Sequence, residues 1–272
     1  MGRQTRKIHR TTRPVHKIMT YEISRLTRRT PLRTLDNDAT ACYNRIVMVL
    51  ALMICQKYGV PQSAYIMVAT ALLAANYSIK TGFGILEGTY SSTEAQPIHG
   101  PGQGSRVALA LWMSVSCICF SAMLKLCHGV SFCDPRHKLT HRRTSDRFVD
   151  DFTHWFNLGL LHSLLKDVSV QDNMLYLERE GHSCWERLFW TTGGKLELSK
   201  CLYYILFCIF DPDSTPHMES VTNMGDDLVS LTSGKEPVSS NIEHRDCSKA
   251  HRTLGMWPAP NVGLQRNSRK KV

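Results

Sequence analysis

The stretch Arg147-Phe148-Val149-Asp150-Asp151-Phe152 sets two adjacent carboxylates directly after a short apolar run. Neighbouring like charges repel, so a fold that keeps both near a strand end usually gives them a cation to hold. Strand-like pieces flank the pair, Asp146 to Val149 and Phe152 to Phe156, which predicts a hairpin with Asp150 and Asp151 at its turn. Asp-Asp also serves hairpins as turn chemistry alone, because short polar side chains bond the nearby backbone. Acids elsewhere in the chain decide between the two readings.

Upstream, residues 31–46 read Pro-Leu-Arg-Thr-Leu-Asp-Asn-Asp-Ala-Thr-Ala-Cys-Tyr-Asn-Arg-Ile, an extended piece that meets Asp36 and Asp38 and turns into an apolar helix near Cys42. An acid at a strand end beside a helix start is placed to bind a cation. Asp36 and Asp38 are equally suited to cap that helix. A second helix follows Pro61 and runs to about Asn76, and Tyr77 to Leu86 reads as a strand. Gly100-Pro101-Gly102-Gln103-Gly104-Ser105 then opens a long helix over 105–127. Backbone N–H groups at such a helix start suit a phosphate or a template, although a plain turn has the same composition. The loop is neither a P-loop nor a dinucleotide fingerprint.

Residues 128–146 read as a basic connector. Past the acid pair, a helical pattern over 158–190, broken near 167–171, stops at Gly193-Gly194. Lys195 to Phe207 is β-rich and contains Lys200. After Asp211 the composition becomes loop-rich, with one ordered-looking piece from His251 to Trp257.

Composition bounds these readings. A chain of 272 residues with 43% apolar and 21% charged residues is globular, with room for one large domain or two small ones. The net charge of +10 is concentrated at the head, where ten Arg or Lys before residue 36 face the single acid Glu22. Such a head suits a polyanion such as nucleic acid, or is a solvated tail. The ten cysteines are scattered, and Cys55, Cys117, Cys119 and Cys208 sit inside apolar runs, which points to a reducing, intracellular compartment. Cys133, His137 and His141, with Cys127 and His128, lack standard zinc-finger spacing. The apolar stretches 46–75 and 107–127 are read as core helices. The first is split by Gln56 to Pro61 into pieces shorter than the roughly 20 residues a membrane span needs, and the second carries Ser114, Ser116 and Ser121.

Taken in order, an acid before a helix, a Gly-Gln-Gly turn, a hairpin with paired acids, Gly-Gly followed by a Lys, and Leu254-Gly255, the chain resembles the palm of reverse transcriptases, in particular polymerases of retrotransposable elements. The resemblance covers roughly residues 33–260. It implies an α+β fold with an antiparallel sheet packed on helices, fingers and thumb being largely missing. It divides the chain into a basic, disordered arm (1–32), the palm (33–210), a primer-grip region with a loop-rich tail (211–265) and a basic, disordered end (266–272).

The implied activity is RNA-directed DNA synthesis, a nucleotidyl transfer to a primer 3′-hydroxyl. The implied cofactor is a pair of Mg²⁺ ions, with Mn²⁺ as substitute, about 3.5–4 Å apart in such sites. By the resemblance Asp38, Asp150 and Asp151 hold the metals, and Lys200 lies near the triphosphate. Tyr43 screens the sugar 2′ position, Gln103 and Gly104 touch template and nucleotide, and Leu254 and Gly255 grip the primer. The implied partners are an RNA template, a DNA primer, deoxynucleoside triphosphates and other domains of the element's polyprotein, in the cytoplasm or nucleus, without a membrane. Two positions depart from the pattern: Asn44 stands where relatives have Asp, and Leu109 where they often have Pro. The alternatives are a palm remnant that binds nucleic acid without synthesis and a small membrane protein.

Overall fold

The computed structural model describes residues 15–23, 31–93, 100–102, 104–133, 136, 139–148, 151–157, 170–213, 216–224, 229–232, 239–252, 257–261 and 263–265. These carry helix α1 (residues 15–23), strand β1 (Leu32–Asp38), a 3-10 turn (Cys42–Arg45), helices α2 (Met48–Lys57) and α3 (Gln62–Leu73), hairpin strands β2 (Asn76–Thr81) and β3 (Gly84–Ser91), and helix α4 (Arg106–Leu126). Next come β4 (Val130–Cys133), β5 (Thr140–Arg143), β6 (Ser145–Phe148), β7 (Asp151–Asn157), helix α5 (Val170–Thr191), a 3-10 turn (Leu198–Lys200) and β8 (Leu202–Leu206). The tail adds β9 (Cys208–Phe210), β10 (Pro216–Met218), α6 (Val221–Met224), β11 (Ser230–Thr232), β12 (Ser239–Asn241), β13 (Glu243–His244), β14 (Trp257–Ala259) and β15 (Gly263–Gln265). The expected α+β class is the class observed. The chain divides into two compact units, Met1–Asp38 with Ala122–Glu186 and Leu196–Val272, and Ala39–Ser121 with Arg187–Lys195. The stretch read as one palm is therefore shared between them.

The first unit is built on a five-stranded sheet in the order β13-β8-β1-β7-β6. β1 runs antiparallel to both β7 and β8, and β13 is parallel to β8. β1 is central because nearly all of it is buried. Alternation of side chains along a strand assigns two faces. Leu32, Thr34, Asp36 and Asp38 share one face with Trp155, Thr153 and Asp151 of β7 and Tyr204 and Leu202 of β8. That face carries a core of Tyr21, Leu32, Val130, Trp155, Leu202, Tyr204, Leu206 and Cys247. Tyr21 of α1 meets Trp155 edge-on, with ring centroids 5.7 Å apart. On the opposite face α5 presents Trp185, 4.8 Å from Phe152 and 5.0 Å from His154 between ring centroids.

Within the stretch 1–32 expected to be a basic, disordered arm, residues 15–23 form α1 with Lys17, Thr20 and Tyr21 buried. Lys17 forms an ion pair with Asp36, whose other oxygen accepts a 2.6 Å hydrogen bond from Thr153 Oγ1. The basic connector is also more ordered than its composition implied. It forms the β4–β5 hairpin, and Arg143 lies 5.1 Å over the Trp155 ring while donating to Asp146. Asp146 in turn accepts from Trp155 Nε1 at 3.0 Å.

In the second unit, the single strand expected over Tyr77 to Leu86 is instead the β2–β3 hairpin. The Thr81 hydroxyl closes its turn, accepting from Phe83 N–H at 3.2 Å and donating to the Gly84 carbonyl at 3.1 Å. Gly193, at φ +86°, lies so close to the Arg45 carbonyl that a Cβ would overlap it. Beside it, Val47 N–H donates to Thr192 O and Thr40 N–H to Lys195 O. α4 is long and apolar enough to cross a membrane. Within the second unit its buried residues Ala108, Leu111, Trp112, Val115 and Cys119 fall at i, i+3, i+4, i+7 and i+11, the pattern of a helix packed on a core.

Two stability predictions follow from the buried charges. Lys17→Met leaves Asp36 buried without its counter-ion and is expected to cost about 3–5 kcal/mol; adding Asp36→Asn recovers most of this in denaturant melts. The pair holds the Asp36 carboxyl below its ordinary range, so its stabilisation is present above that range and is lost as pH falls through the folded value. Burial, reinforced by His154, pushes His182 down to about 3. The unfolded chain takes up this proton below about pH 6.5, so stability is expected to fall from pH 6.5 toward 3, by up to about 1.4 kcal/mol per pH unit. His182→Leu should flatten that slope by roughly one proton, and an unchanged slope across a pH series would refute the assignment.

Candidate functional site

β1 and β7 end together. Their antiparallel register sets Asp38 directly opposite Asp151, so both carboxylates project from one face at one end of the sheet. Like charges so placed destabilise a sheet unless a cation intervenes. Lys200 supplies one, its Nζ donating to Asp38 Oδ2 at 2.7 Å. The turn bearing Lys200 is fastened to the strand end: Glu197 N–H donates to the Asp38 carbonyl at 3.0 Å, and Lys200 N–H to the Glu197 carbonyl at 2.9 Å.

Asp36 lies on the same face, two residues deeper. Burial is the largest influence on its carboxyl and pushes the pKa up. The Lys17 charge, His251 and hydrogen bonds from Lys17 and Thr153 together outweigh it and bring the value down. Neither acid caps a helix, since the turn beginning at Cys42 and α2 both start without a side-chain cap. The capping reading is therefore set aside in favour of tertiary ion pairs.

Around these acids lies a cleft of about 410 Å³, lined by Asp36, Asp38, Asp151, Lys200, Cys201, Glu243, Arg245, His251 and Arg252 among others. That volume is within the range of small-molecule sites. Arg245 donates to both Glu243 oxygens, at 2.9 and 2.5 Å, and lies 3.0 Å from His251 Nδ1. Hydrogen bonding from Arg245 holds the Glu243 carboxyl below its usual range. Burial lowers His251 despite the opposing charge of Asp36, so the ring is neutral near pH 7. Burial pushes the Cys201 thiol up to about 12, which keeps it protonated at neutral pH.

The sequence reading missed the four residues from the tail. They reach the cleft because β13 pairs with β8 over two positions and Arg245 N–H donates to Tyr203 O at 2.9 Å. The charged triplet Glu243-His244-Arg245 inside a Ser-rich tail was the available signal.

Of the expected site residues, the cleft gathers Asp38, Asp151 and Lys200. Tyr43 lies in the second unit on the Cys42–Arg45 turn, where its carbonyl abuts Gly100 so closely that a Cβ there would overlap it. Gly100, at φ +74°, thus brings the Gly-rich loop against the Tyr43 backbone. Gly104 is exposed just ahead of α4. Asn44 donates its backbone N–H to Ala41 O at 2.9 Å, and Leu109 lies 45% exposed on α4. Asp150, Gln103, Leu254 and Gly255 lie outside the described residues.

Among the described residues no three His, Cys, Asp or Glu side chains gather as a metal site; His137 and the Cys133 side chain lie outside that set. At the strand end, Asp38 and Asp151 supply two of the three expected carboxylates. Hard oxygen donors of this kind, already drawing an ammonium, fit a divalent cation such as Mg²⁺.

No family model matches the chain, and no curated protein matches it. Among solved structures it is similar to telomerase from Candida albicans, in complex with a TWJ fragment of telomeric RNA, at 12% identity and a TM-score of 0.49, covering 95% of this chain and 34% of that one. Telomerase from Candida tropicalis with the same kind of fragment gives 12% identity and a TM-score of 0.48, covering 96% and 34% of the two chains. Apo telomerase from Candida tropicalis, truncated from its C-terminal domain, gives 13% and 0.49, covering 94% and 40%. The chain thus spans 34–40% of the length of these structures. At such identities and scores, the chemistry of the cleft rests on its own residues.

Gly100→Ala is expected to lose about 1–3 kcal/mol in thermal melts, because a left-handed backbone and the Tyr43 carbonyl both oppose a Cβ.

Proposed function

We propose that the chain carries the palm chemistry of an RNA-directed DNA polymerase from a retrotransposable element. The observation that supports this most directly is Asp38 facing Asp151 across β1 and β7 with Lys200 against Asp38. In this reading Asp38 and Asp151, joined by Asp150, hold Mg²⁺ or Mn²⁺. When bound, such ions make the primer hydroxyl a better nucleophile and neutralise the pyrophosphate leaving group. The chain's own residues bind and orient the substrates around that centre. Lys200 offers an ammonium to the triphosphate. The resemblance that underlies this reading further assigns sugar screening to Tyr43, template contact to Gln103 and Gly104, and the primer grip to Leu254 and Gly255. The basic residues before position 36 favour a nucleic-acid partner. An RNA template, a DNA primer, deoxynucleoside triphosphates and further domains of the same element complete the proposed assembly.

The test is extension of a labelled DNA primer on an RNA template with Mg²⁺ or Mn²⁺. Asp38→Asn and Asp151→Asn are each expected to lower the rate at least about 100-fold, equivalent to about 2.7 kcal/mol of barrier. RNA binding without extension by the unaltered chain would instead identify a palm remnant that only binds.

A further inference from the structure

Two acids on one face of β1 carry two different kinds of lysine. Asp36 and Lys17 are enclosed, with side chains 8% and 2% exposed, and their pair is a fixed part of the core. Asp38 is 16% exposed, but its partner Lys200 is 66% exposed and reaches it from the solvent side of the cleft. The backbone behind Lys200 is pinned by the Glu197 N–H bond to the Asp38 carbonyl at 3.0 Å. The turn therefore stays in place whichever way the side chain points, and only the flexible four-carbon stem has to swing.

We propose that Lys200 is an exchangeable counter-cation for Asp38. It neutralises the carboxylate facing Asp151 in the absence of a divalent cation and is displaced into the cleft when one binds. This rests on the polymerase reading above and adds an order of events to it. A divalent ion and an ammonium compete for Asp38 Oδ2, because their charges repel and the cleft is partly screened from water. The cation that takes the carboxylate thereby releases a positive charge at the mouth of the same cleft, where a phosphate or pyrophosphate group arriving later finds it. Cation loading and anion capture are coupled through one side chain, and the coupling is reciprocal. Lys17 cannot act this way, because its displacement would strand a charge inside the core.

The test uses the full chain and Mn²⁺ alone, with binding followed by electron paramagnetic resonance. Lys200→Met is expected to bind Mn²⁺ about tenfold more tightly than the unaltered chain. Arg252→Met, which removes another positive charge from the cleft lining, should change affinity less than about twofold if exchange and not the general field is responsible. In parallel, Mn²⁺ should raise the acylation of Lys200 by an amine-reactive reagent, read by peptide mass spectrometry, and Asp38→Asn should give that high reactivity without metal. Asp38-dependent Mn²⁺ binding that Lys200→Met leaves unchanged, or that Arg252→Met strengthens equally, overturns the exchange and leaves the polymerase reading standing. Mn²⁺ binding that does not depend on Asp38 overturns both.

Discussion

The register between β1 and β7 is the constraint on which the first unit depends. Side chains alternate along a strand, so a slip of one residue would carry Asp36 and Asp38 to the face packed by α5 and send Leu35 toward α1. Several contacts hold the register at once. The Thr153 hydroxyl bonds Asp36 only when the two residues oppose each other, and Trp155 meets Tyr21 only when it shares a face with Thr34. The position of Asp38 opposite Asp151 is thus a consequence of packing several residues away. The site inherits its geometry from the core, and the strand end has no independent freedom to set it.

Placing Lys17 and Asp36 inside that core is not an efficient way to gain stability. Taking both charges out of water costs about what their attraction returns, and an apolar pair of similar volume would serve as well or better. What the pair does supply is selectivity. Among the ways α1 could lie on an apolar sheet, the arrangement that leaves Asp36 without a cation is strongly disfavoured. The ion pair, Tyr21 on Trp155 and the hydrogen bond that Arg143 donates to the Thr20 hydroxyl all agree on one docking of α1.

Part of the candidate site was legible because the strand ends and the turn that gather Asp38, Asp151 and Lys200 are encoded locally. Asp38 and Asp151 stand at strand ends that alternation and turn residues mark in the sequence, and the Gly-Gly pair marks the end of the helix that precedes Lys200. What was not legible depends on pairing between distant segments. Lys17 sits among many other basic residues, and nothing in its neighbourhood distinguishes the one lysine that meets Asp36. Glu243, Arg245 and His251 come from a tail with weak periodicity, carried to the cleft by a two-residue parallel strand whose signal is too short to stand out. The residues 130–143 were read by charge as a connector, although Val130 and Phe132 alternate with polar neighbours in the manner of a strand.

The cleft's charges show why an acid pair alone was an insufficient signal. Asp36, Asp38 and Glu243 each meet a cation from a different part of the chain, Lys17, Lys200 and Arg245. A carboxylate-rich site that must stay folded before any ligand arrives needs such internal cations, because unneutralised acids on one sheet face repel. The same cations would oppose the binding of a metal if all were fixed. Burial separates the two duties: the enclosed lysine holds the fold, and the exposed one is the only one of the two able to leave its acid without stranding a charge in the core.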